Sequence, residues 1–407
     1  MGSRQRPGLR TVLANSAYRR LFAAQTISRW GDTASTVALV VLVFRLTGSG
    51  LGVSGAVIAE ILPVLLLAPI AGAVADRLPR VRVMVAADIG RMAVAALLPL
   101  TDQHLAAVYA IAFALSAGAV FFNPASAAAL PGIVGEDELV AANGGLWSAA
   151  VISQIALAPL AGGIVAAWGV APAFYFNAAT FAVSALTLAR LRLPRTPQPP
   201  ALGLTSWISR IAEGGAAVAR DRLLRLMAIA QLLAALSAGA TSALLVVLAE
   251  RHLRAGPGGF GLLLGAIGIG AAAGPLLLAR LTSNPRQPAL VFGPYLLRGI
   301  VDLILAATAN LPTAMTALGL YGIGTSTGMV TYNSLLQAHV PGHLRGRVFA
   351  AFDMLWQTGR LASIALGGLT ADALGIQAVY LLGGLLLLLA GTIGLAKLAA
   401  DSHCPSR

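Results

Sequence analysis

A chain of 407 residues in which 57% of the side chains are apolar and 11% charged lies far from the roughly 25% charged composition of a soluble domain, so water is not its main solvent. The formal charge of +13 would suit a nucleic-acid binder, but the basic residues fall between apolar runs and form no stripe, which excludes that class. The single cysteine, Cys404, excludes an intrachain disulfide framework and a cysteine-based metal site.

Taken in chain order, the first twenty residues hold no apolar h-region, so the first span is expected to act as its own insertion signal. Apolar runs long enough to cross a bilayer, at about 20 residues each, follow near residues 21–44, 53–75, 81–100, 105–122, 146–168 and 174–191. A Pro- and Arg-rich stretch then contains Pro194, Pro197, Pro199 and Pro200, with a segment at 206–219 that reads as an amphipathic helix. Six more runs lie near 223–249, 260–281, 290–309, 311–333, 348–369 and 379–395. The expected fold is all-α and integral to the membrane, with twelve transmembrane helices in two six-helix bundles, residues 1–190 and 223–407, joined by a cytoplasmic linker at 191–222.

Orientation follows from the basic residues. With both termini inside, 21 of the 28 Lys and Arg fall in cytoplasmic segments and only Arg45, Arg251 and Arg254 fall outside, as the positive-inside rule requires. The halves also repeat one another. Asn123 stands eight residues before Pro131-Gly132 and Asn333 eight before Pro341-Gly342; Leu146-Trp147 then Gly162-Gly163 match Leu355-Trp356 then Gly367-Gly368, and Arg91 matches Arg298. A parallel repeat about an axis along the membrane normal, with a substrate site near the midplane, is one known transporter plan.

Charges inside spans each cost roughly 2.5–3.5 kcal/mol on insertion scales and face a cavity or a partner. They are Arg29 and Asp32 in span one, Glu60 in span two, Asp88 and Arg91 in span three, Arg298 and Asp302 in span nine, and Asp353 and Arg360 in span eleven. Arg29 and Asp32, Asp88 and Arg91, and Arg298 and Asp302 are three or four apart, so each pair shares a helix face. Pairing leaves two readings for Arg91, Asp88, Arg298 and Asp302, either mutual neutralisation that keeps helices in register or work in a cavity. Asp32 and Glu60 are the carboxylates expected to couple proton entry to transport, since a carboxylate removed from water can load and release a proton. Phe113, Phe121, Phe122, Gln154, Asn177, Tyr321 and Asn333 are cavity-lining candidates for which ordinary packing is the competing account. His252 and His339 are not spaced as a metal site, and no convergent nucleophile, base or metal set marks an enzyme. No Gly-x-x-x-x-Gly-Lys loop is present and the only lysine is Lys397, which excludes a P-loop ATPase and leaves an ion gradient as the drive.

The loop after span two runs from Gly72 through Asp76, Arg77, Pro79 and Arg80 to Arg82. A carboxylate among guanidiniums at a helix end can form charge-assisted hydrogen bonds that hold two helices in one state and release them in another, and Gly72 would let a helix approach closely. This loop resembles the Gly-x-x-x-Asp-Arg-x-Gly-Arg-Arg motif of the major facilitator superfamily, matching at Gly72, Asp76, Arg77 and Arg80 and departing at Pro79 and Val81. The resemblance implies a conformational latch with its partner near Asp353, to which Asp88 could also belong. In span five, Gly145, Pro159, Gly162 and Gly163 keep the spacing of the antiporter motif of drug exporters, with Gln154 and Ala158 in place of two glycines; small residues and a proline make a kinked, closely packed helix.

Residues 28–32, 46–49, 124–143 and 340–348 resemble the branch of that superfamily containing the enterobactin exporter and the macrolide-efflux proteins. The resemblance implies a bacterial inner-membrane protein, multi-pass and monomeric, with both termini cytoplasmic. It implies export of small drug-, macrolide- or siderophore-like molecules by proton antiport, with no cofactor and with protons and lipids as the other partners. A lipid or lysolipid translocator, or an importer of the same fold, is the alternative.

Overall fold

The computed structural model describes residues 9–191, 204–282, 284, 287 and 289–402, and among them every regular element is helical. The chain divides into two compact units, one of Met1–Leu46 with Ala56–Ala201, the other of Thr47–Gly55 with Leu202–Arg407. The first contains α1 (Leu9–Ala14), α2 (Ser16–Thr47), most of α3 (Gly50–Arg77), α4 (Arg80–Thr101), α5 (Leu105–Ala129), α6 (Leu139–Trp168) and α7 (Ala171–Ala189). The second contains α8 (Leu204–Arg220), α9 (Arg222–Ala243), the single turn α10 (Leu245–Val247) with a π-helical turn at Leu248–His252, and α11 (Gly256–Leu281). It continues through α12 (Ala289–Ala307), α13 (Leu311–His339), α14 (Gly342–Leu374) and α15 (Ile376–Ser402).

Ten of these helices are long and apolar enough to cross a membrane on length and composition alone. The other two long helices, α13 and α14, have 29 and 33 residues; α14 carries five charged residues, Arg345, Arg347, Asp353, Arg360 and Asp372. With them the described helices account for the twelve expected spans. The amphipathic segment of the linker is α8. Cys404 and residues 192–203 lie outside the described residues.

Side chains are distributed as a lipid solvent demands. Leu66, Leu160, Leu186 and Leu281 are exposed, while Asp88, Asp302, Ser184 and Thr331 are fully buried. Water would reverse that pattern. Because lipid tails are as apolar as leucine, the helices are held by close packing and interhelical hydrogen bonds. A Cβ on Gly270 of α11 would strike the Gly319 carbonyl of α13, and one on Gly322 would strike Ile267, so α11 and α13 touch backbone to backbone. In the first unit α4 packs against α5 and α7; in the second α12 packs against α13 and α15, and α14 against α9.

Helix ends have local causes. Asp221 accepts from the Leu224 amide at 2.8 Å and caps α9, and Asn310 accepts from the Thr313 amide at 3.1 Å and caps α13. Gly169 and Gly375, with φ of 80° and 88°, occupy matching turns before α7 and α15, where a side chain would be strained. Tyr18 is buried in the core of the first unit beside Leu21, Met84 and Leu188, and its hydroxyl donates to the Ala142 carbonyl at 2.9 Å.

Candidate transport site

Each unit buries an arginine. In the first, Arg91 leaves α4 over Gly118 of α5, where a Cβ would strike its Cγ. Its Nη2 donates to Asp32 Oδ1 of α2 at 2.7 Å, its Nη1 lies 3.8 Å from Asp88 Oδ1, and its guanidinium sits 4.0 Å from the centroid of the Phe181 ring of α7. Asp88 is wholly buried and accepts from the Ser184 hydroxyl at 2.6 Å. Four helices thus converge on one guanidinium.

In the second unit Arg298 leaves α12 beside Gly324 of α13, 3.0 Å from where a Cβ would sit. Its Nη2 donates to the Tyr321 hydroxyl at 2.9 Å, and the guanidinium lies 4.7 Å from that ring's centroid. Asp302, one turn on, acts electrostatically on Arg298 and accepts from Ser237 of α9 at 3.3 Å. Its Oδ1 is buried and has no hydrogen-bond partner among the described residues.

Arg298 also forms part of the wall of a cavity of about 400 Å3 within the second unit, which Gln231, Tyr295, Tyr332, Asp353 and Trp356 line with it. That volume is in the range of small-molecule sites. The Tyr295 hydroxyl donates to Gln231 at 3.3 Å, and Tyr332 packs edge-on against Phe352 with centroids 5.7 Å apart. In the first unit a cavity of about 360 Å3 is lined by apolar side chains and by Arg82.

The sequence-derived residues fall into several places. Asp32 takes its partner from another helix, Arg91, and not from Arg29, which is exposed on its own helix. Asp88 belongs to this buried cluster and not to the loop after α3. Glu60 is half-buried on α3, and its backbone carbonyl accepts from Ser116. In the motif loop, Gly72 meets no neighbouring atom within 4 Å of a built Cβ, so no helix approaches it closely. Arg77 is exposed, Arg80 donates to the Ala128 carbonyl at 2.6 Å, and the side chain of Asp76 lies outside what is described. In α6, Gly145 admits Leu9 and the Tyr18 hydroxyl and Gly162 is buried, whereas Gly163 faces open space; Pro159 lies within the helix. Asp353, expected as a latch partner, lines the cavity, as does Asn333.

Hydropathy gave no sign of Phe181, Ser184, Ser237, Tyr332 or Trp356, because aromatic and hydroxyl residues are ordinary in membrane helices. Asp372 was also missed. At the end of α14 it accepts from the Gly50 amide at 2.7 Å and the Leu51 amide at 3.0 Å, binding the first turn of α3 to the second unit. Arg251 lies 3.5 Å from the same carboxylate and donates to the Gly48 carbonyl. No cluster of His, Cys, Asp and Glu that could hold a metal occurs among the described residues.

The profile of the transmembrane secretion effector family matches residues 10–402. The chain belongs to this family of major facilitator transporters. It is 30% identical over 412 residues to the uncharacterized MFS-type transporter YfiS of Bacillus subtilis, covering 94% of each chain. It is 29% identical to the multidrug efflux pump Tap of Mycolicibacterium fortuitum, over 92% of this chain and 93% of that one. A bacterial homologue of the iron transporter ferroportin shares the fold, with a TM-score of 0.72 at 16% identity over 93% of this chain and 98% of the other. As a major facilitator member the chain is a multi-pass membrane transporter, and the earlier resemblance is correct at that level.

Proposed function

We propose that the protein exports small organic molecules across the bacterial inner membrane in exchange for protons, by alternating access, with both termini cytoplasmic and a monomer as the working unit. The carrying observation is that Arg298 stands on the cavity wall while coupled to Asp302, which is buried with one oxygen unbonded among the described residues. With Asp302 ionised, its charge holds the guanidinium; once Asp302 is protonated, Arg298 loses that counter-charge and the cavity wall changes its electrostatics. A proton and a substrate that read the same pair must exchange with one another. The relative named as a multidrug efflux pump supports the outward direction. In the first unit Asp32, which accepts from Arg91, is the candidate carboxylate, and Glu60 is the further candidate on α3. The proton gradient is the energy source and no cofactor is called for.

The test is proton movement in proteoliposomes under an imposed pH gradient, with macrolides, siderophores and lipophilic cations added in turn. Substrate-dependent proton flux in the wild type, lost in Asp302→Asn and reduced in Asp32→Asn and Glu60→Gln, is the expected result. Flux that persists undiminished in all three variants would overturn the coupling assignment, and none with any compound would move the protein toward lipid translocation.

A further inference from the structure

The two charges on the cavity wall of the second unit, Arg298 and Asp353, are not equally engaged. Arg298 is the cation on its wall, and that charge is already engaged by Asp302 behind it and by the Tyr321 hydroxyl and ring. Asp353 remains. Its side chain is exposed and has no hydrogen bond or ion pair among the described residues. Around it the wall is aromatic, with Tyr295, Tyr332, Phe352 and Trp356 contributed by three different helices. The Tyr332 hydroxyl is buried without a hydrogen-bond partner among the described residues, so the wall holds a polar atom that none of them satisfies.

A carboxylate set among ring faces is a poor host for an anion. For a compact organic cation it supplies both a counter-charge and the negative faces of the rings, which attract a cation more strongly once water is excluded. A neutral apolar guest would gain the rings but leave Asp353 desolvated without compensation. We propose that this cavity selects organic cations, held at Asp353 and enclosed by the aromatic side chains of α12, α13 and α14. The inference rests on the reading of this cavity as a substrate site and names the class of substrate.

Alternating-access movement is not needed to test it. Binding of radiolabelled tetraphenylphosphonium to the full-length, detergent-solubilised chain would be measured by scintillation proximity, with competition by unlabelled tetraphenylphosphonium and by tetraphenylborate, an anion of nearly the same shape. The cation is expected to compete and the anion not. Asp353→Asn is expected to weaken cation binding at least about tenfold, and Asp353→Glu to restore most of it. Circular dichroism and size-exclusion profiles would confirm that the variants are folded. Equal competition by tetraphenylborate, or an affinity unchanged in folded Asp353→Asn, would overturn the proposal. Because no pH gradient enters this assay, intact cation binding together with absent proton flux would sink the antiport reading alone.

Discussion

Arg91 and Arg298 stand at matching places in the repeat, each beside a glycine of the next helix and each with a carboxylate one turn away on its own helix. Their surroundings differ. Two carboxylates, Asp32 and Asp88, serve the one guanidinium of Arg91, and Ser184 holds Asp88 in place. At Arg298 the neighbours are a single carboxylate and a phenol, and Asp302 keeps an oxygen with no partner among the described residues. Both clusters leave a carboxylate oxygen and the arginine Nε without a hydrogen bond among the described residues, Asp88 Oδ1 with Arg91 Nε and Asp302 Oδ1 with Arg298 Nε, so the difference lies in the ion pairs that Arg91 makes with Asp32 and Asp88. The first cluster therefore reads as a clamp across four helices and the second as the responsive element, and it is the second that reaches a cavity.

The largest expected effect comes from removing either guanidinium. Taking away one member of a buried ion pair costs about 3–5 kcal/mol, since the partner is left charged and unpaired. Arg91→Met strands Asp88 and takes the partner from Asp32, so it is expected at the upper end of that range, with Arg298→Met below it because Arg298 has no carboxylate at ion-pair distance among the described residues and loses only its bond to Tyr321. Denaturant unfolding of the purified variants would rank them, and equal losses would erase the distinction between clamp and responsive pair.

Crowding gives the next contrast. A methyl at Gly118 would collide with Arg91 Cγ, an atom near the root of the side chain, while at Gly324 the gap to Arg298 Cγ is 3.0 Å. Overpacking typically costs about 1–3 kcal/mol. Gly118→Ala should fall within that range and Gly324→Ala below it, read as shifts in the unfolding midpoint. Ser184→Ala and Ser237→Ala are expected to follow the same order, because hydrogen bonds to charged groups contribute about 1.5–3 kcal/mol and the bond to Asp88 at 2.6 Å is much shorter than that to Asp302 at 3.3 Å.

Much of this was legible in the sequence, and the remainder was hidden for identifiable reasons. Helix number came through because the penalty for exposing backbone polar groups to lipid forces long uninterrupted apolar runs. Even so, α13 and α14 fall short on apolarity, α14 because it carries five charged residues, of which Asp372 is held by the amides of Gly50 and Leu51 and Asp353 lines the cavity. The pairing of Asp88 with Arg91 followed from helical spacing, but the same reasoning assigned Arg29 to Asp32, whereas the stronger bond runs between helices to Arg91. Spacing along one helix says who could meet and not who does. Gly72 and Gly163 show the same limit from the other side, since a small residue permits a close approach without compelling one. Asp353 could be placed at the start of a span, yet its aromatic neighbours come from three helices far apart in the chain.

The smallest expected effect lies at the helix caps. Asp221 and Asn310 both cap helices of the second unit, α9 and α13, but only Asp221 carries a charge, and it also pairs with His339 at 2.9 Å. Burial alone would raise the Asp221 carboxyl, but the Leu224 amide, the bond from His339 and its charge together hold it below the ordinary value of 3.8. A carboxyl depressed in the folded state contributes stability that is fully present above its unfolded value and is lost as pH falls through the folded one. Asn caps a helix about as well as Asp, so Asp221→Asn removes only the ionic part, and with both side chains 37% exposed that part is worth less than about 1 kcal/mol. The variant should therefore unfold slightly before the wild type at pH 6, and the two should converge as the pH is taken well below 3.8. Thermal midpoints across that interval would show the convergence, and a gap that stays constant with pH would mean that the charge of Asp221 contributes nothing and that its cap works like that of Asn310.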